Sequence, residues 1–125
     1  MPLVHITGRH DLKTLRALGS AVHDALVAAV GIPVDDRFQV LTAATHETLT
    51  ADPSYLGQHR KLPVIVEITL SAGRTNDQKR DLYARIASGA EAAGIRPDDI
   101  MIVLHENQRV DWSFGSGIAQ YVPTG

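Results

Sequence analysis

The sequence contains one unit written twice, and that repeat limits the fold more than any other feature of its 125 residues. The stretch Gly31-Ile32-Pro33-Val34-Asp35-Asp36-Arg37-Phe38-Gln39-Val40-Leu41 recurs 63 positions later as Gly94-Ile95-Arg96-Pro97-Asp98-Asp99-Ile100-Met101-Ile102-Val103-Leu104. Upstream of each copy stands a Gly-Arg pair, Gly8-Arg9 and Gly73-Arg74, preceded by an apolar run and followed by helical spacing. Each unit therefore reads strand, helix, strand.

The local patterns fill in the units. Pro2 to Thr7 reads as a short strand ended by Gly8. From Asp11 to Val30, Leu12, Leu15, Leu18, Val22, Ala25, Leu26 and Ala29 recur every three or four residues, the apolar face of a helix of about five turns. Gly31 followed by Pro33 stops it. Arg37 to Thr42 reads as the second strand. Val64 to Leu70, rich in β-branched residues, is the third. Thr75 with Gln78 has the form of a capping box and opens a helix carrying Leu82, Ile86, Ala90 and Ala93, stopped by Gly94. Ile100 to Leu104 is the fourth strand. The chain is expected to be a single domain over 1–125: unit one at 2–42, an irregular connection at 43–62, unit two at 63–105 and a C-terminal aromatic arm at 106–125. The arm's tail from Asp111 to Val122 reads as a hairpin or an ordered extension.

Two such units imply two parallel strand pairs with right-handed crossovers, and so an α/β (α+β) fold. Their helices cover one face of a four-stranded sheet. A strand as apolar as VIVEITL cannot leave the other face to water, so self-association is expected, with the aromatic arm against a neighbouring subunit. The net charge of -2, with lysines and arginines scattered, argues against a nucleic-acid or anionic-membrane partner. The absence of cysteine excludes disulfides and thiolate chemistry. No apolar run approaches 18 residues and no basic-then-apolar leader opens the chain, so the expected location is the cytoplasm.

Because the first strand opens at Pro2, removal of Met1 would leave a free secondary amine at the start of a buried element. Burial or nearby arginines would make it a base usable at neutral pH, suited to enol–keto tautomerisation. A neighbouring carboxylate would favour its cation, suited to polarising the carbonyl of a 3-oxo acid as carbon dioxide leaves. Alternatively Pro2 only begins an edge strand, where its missing N–H costs nothing.

The start at Pro2, the duplicated unit, Ala21-Val22-His23-Asp24-Ala25-Leu26, Asp36-Arg37-Phe38-Gln39, Gly73-Arg74 and Asp111-Trp112-Ser113-Phe114-Gly115 follow one another in an order that resembles the tautomerase superfamily, most of all malonate semialdehyde decarboxylase. The resemblance runs from Pro2 to about Tyr121 and is weakest between 44 and 60. It implies a tautomerase/MIF-like fold, a trimer, and the proline at the bottom of each pocket. It also implies that Arg74, where strand three meets its helix, binds substrate carboxylate, and that Asp36 lies near the proline and holds or activates water. The family's better-known form has a second arginine two residues before Arg74, where this chain has Ala72. Arg60 is the candidate to replace it, with Arg9 behind. Asp36 and its repeat counterpart Asp99 are open to a second reading as caps of the turn before a strand. Trp112 and Phe114 are expected to wall the pocket or to pack in a subunit interface.

None of His5, His10, His23, His46, His59 and His105 shows a zinc spacing, and all six read as structural or surface residues. Gly115-Ser116-Gly117 does not open a helix after a strand, so no nucleotide site and no cofactor is expected. The resulting expectation is a cofactor-free enzyme with Pro2, Asp36 and Arg74 as catalytic residues and Arg60, Trp112 and Phe114 around a small carboxylate substrate. The reaction is decarboxylation of malonate semialdehyde or a similar 3-oxo acid, with side activity as tautomerase or hydratase. The alternatives are a tautomerase of phenylpyruvate-like enols and a non-catalytic oligomeric binding module.

Overall fold

A computed structural model describes residues 1–124, so the final residue of the arm expected at 106–125 lies outside the described residues. The chain runs β1 (Leu3–Gly8), α1 (Leu12–Val30), β2 (Phe38–Ala43), β3 (Val64–Ser71), α2 (Asn76–Ala92) and β4 (Ile100–Asn107). Single 3-10 turns at Tyr55–Gly57, Pro97–Asp99 and Arg109–Asp111 punctuate the connections. The sheet order is β2-β1-β3-β4. β1 pairs with β2 and β3 with β4 in parallel, one pair per unit, and the antiparallel β1–β3 pair joins the units. The fold class expected from the repeat is the one observed.

The helix ends follow from their residues. The Asp11 carboxylate accepts from Thr14 N at 2.8 Å and caps α1. Gly31 closes it at φ 71°, a left-handed position that costs glycine nothing. At α2 both halves of the capping box form: Gln78 N donates to the Thr75 hydroxyl and Thr75 N to the Gln78 side chain. β4 continues to Asn107, three residues beyond the expected strand, because β3 runs on to Ser71 and pairs there.

Both helices lie on one face of the sheet. Leu15, Leu18, Val22 and Leu26 of α1 and Leu82, Ile86 and Ala90 of α2 pack on Val4, Ile6, Val66, Ile68 and Leu70. Burying each large aliphatic side chain contributes about 1.5–3 kcal/mol, which makes this layer the source of the fold's stability. On the opposite face Phe38, Val40 and Met101 are exposed. Glu67 stands at its centre, in register with His5 and 3.2 Å from His105 Nε2. Among the described residues no helix is long and apolar enough to cross a membrane.

Each unit enters its first strand through a buried proline, Pro2 or Pro63. Since β1 and β3 are antiparallel, these prolines lie at opposite ends of the sheet. Each end carries its own cavity.

Candidate functional site

The first cavity lies where β1 begins, β2 begins and β3 ends, an arrangement set by the two pairings of β1. Its volume is about 390 Å³, and Met1, Asp36, Ser71, Arg74, Arg109 and Tyr121 are among its walls. An adjoining hollow of about 240 Å³ shares Met1, Asp36 and Tyr121 and adds Phe38 and Phe114. The chain's terminal ammonium, on Met1, donates to Asp36 Oδ2 at 2.5 Å. Pro2 is buried directly behind it. Asp36 is held in the turn before β2, where its N–H donates to the Pro33 carbonyl at 3.1 Å.

Arg74 reaches the cavity from the loop between β3 and α2. Its Nη1 donates to the Ser71 carbonyl at 3.2 Å, leaving the other N–H groups of the guanidinium for a ligand. The aromatic arm folds over the same end. The Trp112 and Phe114 rings stack 5.6 Å apart at 2°. Phe114 also meets Phe38 and Tyr121, with centroids at 5.9 and 6.1 Å. Trp112 is fixed from behind, its indole N–H donating to Asn107 Oδ1 at 2.8 Å. One wall is thus aromatic and the other cationic, a pairing that strengthens charge interactions by excluding water.

Of the residues expected from sequence, Asp36, Arg74 and Phe114 come together beside the N-terminus, with Pro2 behind it and Trp112 behind Phe114. Arg60 does not join them. It lines a separate cavity of about 240 Å³ with Pro63, Asp99 and Met101, at the start of β3. Eight residues of strand, roughly 25 Å, separate that end from Ser71. There Arg60 Nη1 donates to the carbonyls of Asp52 and Tyr55. Arg9 points away as well, donating to the Leu49 carbonyl at 2.6 Å. Asp99, only 2% exposed, accepts from Lys61 N at 2.7 Å and lies 3.4 Å from Arg96 Nη1, which ties its turn to the connection.

Three residues of the first cavity escaped the sequence reading. Arg109 sits in the turn after β4, with its guanidinium carbon 4.9 Å above the Tyr121 ring. Tyr121 belongs to the arm, and only the path of the arm shows that its ring turns inward. Ser71 ends β3, and its alternation with Glu67 and Thr69 gave no sign that it would be buried. Among the described residues no group of three or more histidine, aspartate or glutamate side chains is arranged to hold a metal ion.

Comparison with known proteins follows the same geometry. The family described as "Tautomerase enzyme" matches residues 36–115, well over half of the chain. The protein named "Probable tautomerase YusQ" of Bacillus subtilis (strain 168) is 37% identical over 98% of this chain and 99% of its own. A crystal structure of FG41 malonate semialdehyde decarboxylase inhibited by 3-bromopropiolate is 38% identical with TM-score 0.89, covering 95% of this chain and 93% of that one. A second malonate semialdehyde decarboxylase, solved in wild-type, mutant and inactivated forms to explain decarboxylase and hydratase activities, is 30% identical with TM-score 0.85. It covers 94% of this chain and 93% of that one.

Proposed function

Because the chain belongs to the tautomerase enzyme family, we propose that it is a cofactor-free decarboxylase of malonate semialdehyde or a similar small 3-oxo acid. The observation that carries this reading is the pairing of the terminal ammonium with Asp36 at a cavity that also holds Arg74. Removal of Met1 moves the positive terminus back one residue, about 3.8 Å along the chain, onto Pro2. A carboxylate beside that amine stabilises its charge and favours the cation over the base. The cation then donates to the substrate's 3-oxo oxygen while Arg74 holds the carboxylate. The bond from carbon 2 to the carboxylate breaks, carbon dioxide leaves, and the electron pair passes into an enol on the polarised carbonyl. Protonation of carbon 2 gives the aldehyde. Asp36 keeps the ammonium in place and orients water for the hydratase side reaction.

A second reading, tautomerisation of a phenylpyruvate-like enol, is favoured by the Phe38, Phe114 and Tyr121 wall, which suits an aryl group. Two measurements decide between them. The intact mass of untagged protein is expected to lack Met1. Malonate semialdehyde is expected to give acetaldehyde and carbon dioxide with wild type and not with Pro2→Ala. Faster proline-dependent turnover of enol-phenylpyruvate would replace the first reading by the second. A processed terminus without proline-dependent turnover on either compound would point to a non-catalytic binding module. The exposed apolar sheet face supports a trimeric working form, and a cytoplasmic location accords with a small soluble substrate.

A further inference from the structure

Ser71 presents an anomaly at the candidate site. The residue is only 5% exposed, and among the described residues its hydroxyl oxygen has no hydrogen-bond partner. A buried hydroxyl without a partner loses its hydration and gains nothing in return, so such groups in a folded protein call for an explanation. The residue lines the 390 Å³ cavity, and its hydroxyl is buried behind that lining. Its own carbonyl accepts from Arg74 Nη1 at 3.2 Å, which sets the guanidinium against the Ser71 backbone. The β1–β3 register, in which Leu3 faces Thr69, places Met1 opposite Ser71 when continued by two residues. Loss of Met1 therefore empties the position across from the hydroxyl. The next residue, Ala72, offers the ligand no side-chain donor, and Arg60 is at the far end of the sheet.

We propose that Ser71 is a substrate-binding residue whose hydroxyl donates to the same carboxylate that Arg74 pairs with. This rests on the small-acid reading of the cavity given above. An anion bridging the free N–H groups of Arg74 comes within reach of the Ser71 side chain, because guanidinium and hydroxyl are presented from one short stretch of backbone. The hydroxyl adds a directed bond to an ionic one. A hydrogen bond to a charged group changes affinity by roughly ten- to a hundredfold.

The test uses processed full-length protein: wild type, Ser71→Ala, Ser71→Thr and Pro2→Ala. With malonate semialdehyde, Ser71→Ala is expected to raise KM about tenfold or more while kcat changes less than threefold. Ser71→Thr, which keeps the hydroxyl, stays within about threefold of wild type in KM. Melting is measured with and without malonate, a carboxylate probe that needs no turnover. Ser71→Ala without malonate should melt at the wild-type temperature or a few degrees above it, since an unpaired polar group has been removed. It should also lose most of the malonate-induced rise. An unchanged KM together with an unchanged malonate shift would overturn the proposal. So would a lower melting temperature for the free variant, which would show that the hydroxyl supports the fold. If wild type and Pro2→Ala are equally inactive, the reaction assigned above fails by itself, and the malonate shift still decides the role of Ser71.

Discussion

At the scale of single residues, the proposed function divides the site into a charge that reacts and charges that hold. Among the described residues, Asp36 is the one carboxylate paired with the terminal ammonium. In processed protein, Asp36→Asn is expected to lower kcat by about 10²-fold or more, the usual range for removing a group that tunes an acid, with KM little changed. Arg74→Gln should raise KM instead, because a guanidinium that holds the substrate carboxylate, as proposed, would do so in ground state and transition state alike. Arg60→Gln should leave both constants within about twofold. Steady-state kinetics on the three variants, with malonate semialdehyde as substrate, read this contrast directly. Arg60 is close to strand three in the chain, but it stands at the strand's beginning and Arg74 beyond its end, so nearness in sequence does not bring the two together. Asp36 and Arg74 were legible because the repeat and the Gly-Arg pair mark them. Ser71 and Arg109 were not, because one is buried at the end of a strand whose alternation points it outward and the other lies in a turn beyond the last repeated residue.

Among the elements, the helices and strands were legible nearly to their ends because caps, glycines and periodicity agree. The arm was not: its rings carry no period, and their place is set by Phe38 across the chain. Gly89 of α2 tests the packing of the two helices. A Cβ there would lie 2.8 Å from Ala21 Cβ of α1. Helix propensity alone would make Gly89→Ala stabilising by about 1 kcal/mol, while overpacking of this kind costs about 1–3 kcal/mol. We expect packing to win, and thermal melting to show a net loss. The join between α2 and β4 carries a pH signature. The Lys79 ammonium, 2.6 Å from Glu106 Oε1, holds the Glu106 carboxyl below its ordinary 4.5. A carboxyl lowered in the folded state stabilises above its unfolded value and ceases to do so as pH falls through its folded one. Glu106→Gln should therefore melt below wild type at pH 7, and the gap should close as the medium is acidified below the carboxyl's ordinary 4.5 and on through its lowered folded value.

For the whole molecule, the uncovered side of the sheet is the feature that remains to be paired. Val40, Phe38 and Met101 are about half exposed there in one chain. Val40→Asp is expected to convert the proposed trimer to monomers in sedimentation velocity, since three carboxylates cannot be buried without partners; an unaltered sedimentation coefficient would place the contact elsewhere. The repeat made this level legible in outline, by showing two helices for a sheet with two faces. It could not show that the two ends of the sheet differ. Pro63 stands at the start of β3 as Pro2 stands at the start of β1, but its nitrogen stays acylated by Leu62, whereas removal of Met1 would free that of Pro2. Fusion of the two units thus sets a stoichiometry. A substrate-shaped electrophile directed at the terminal amine should label one equivalent per polypeptide, never two, however many chains the assembly contains.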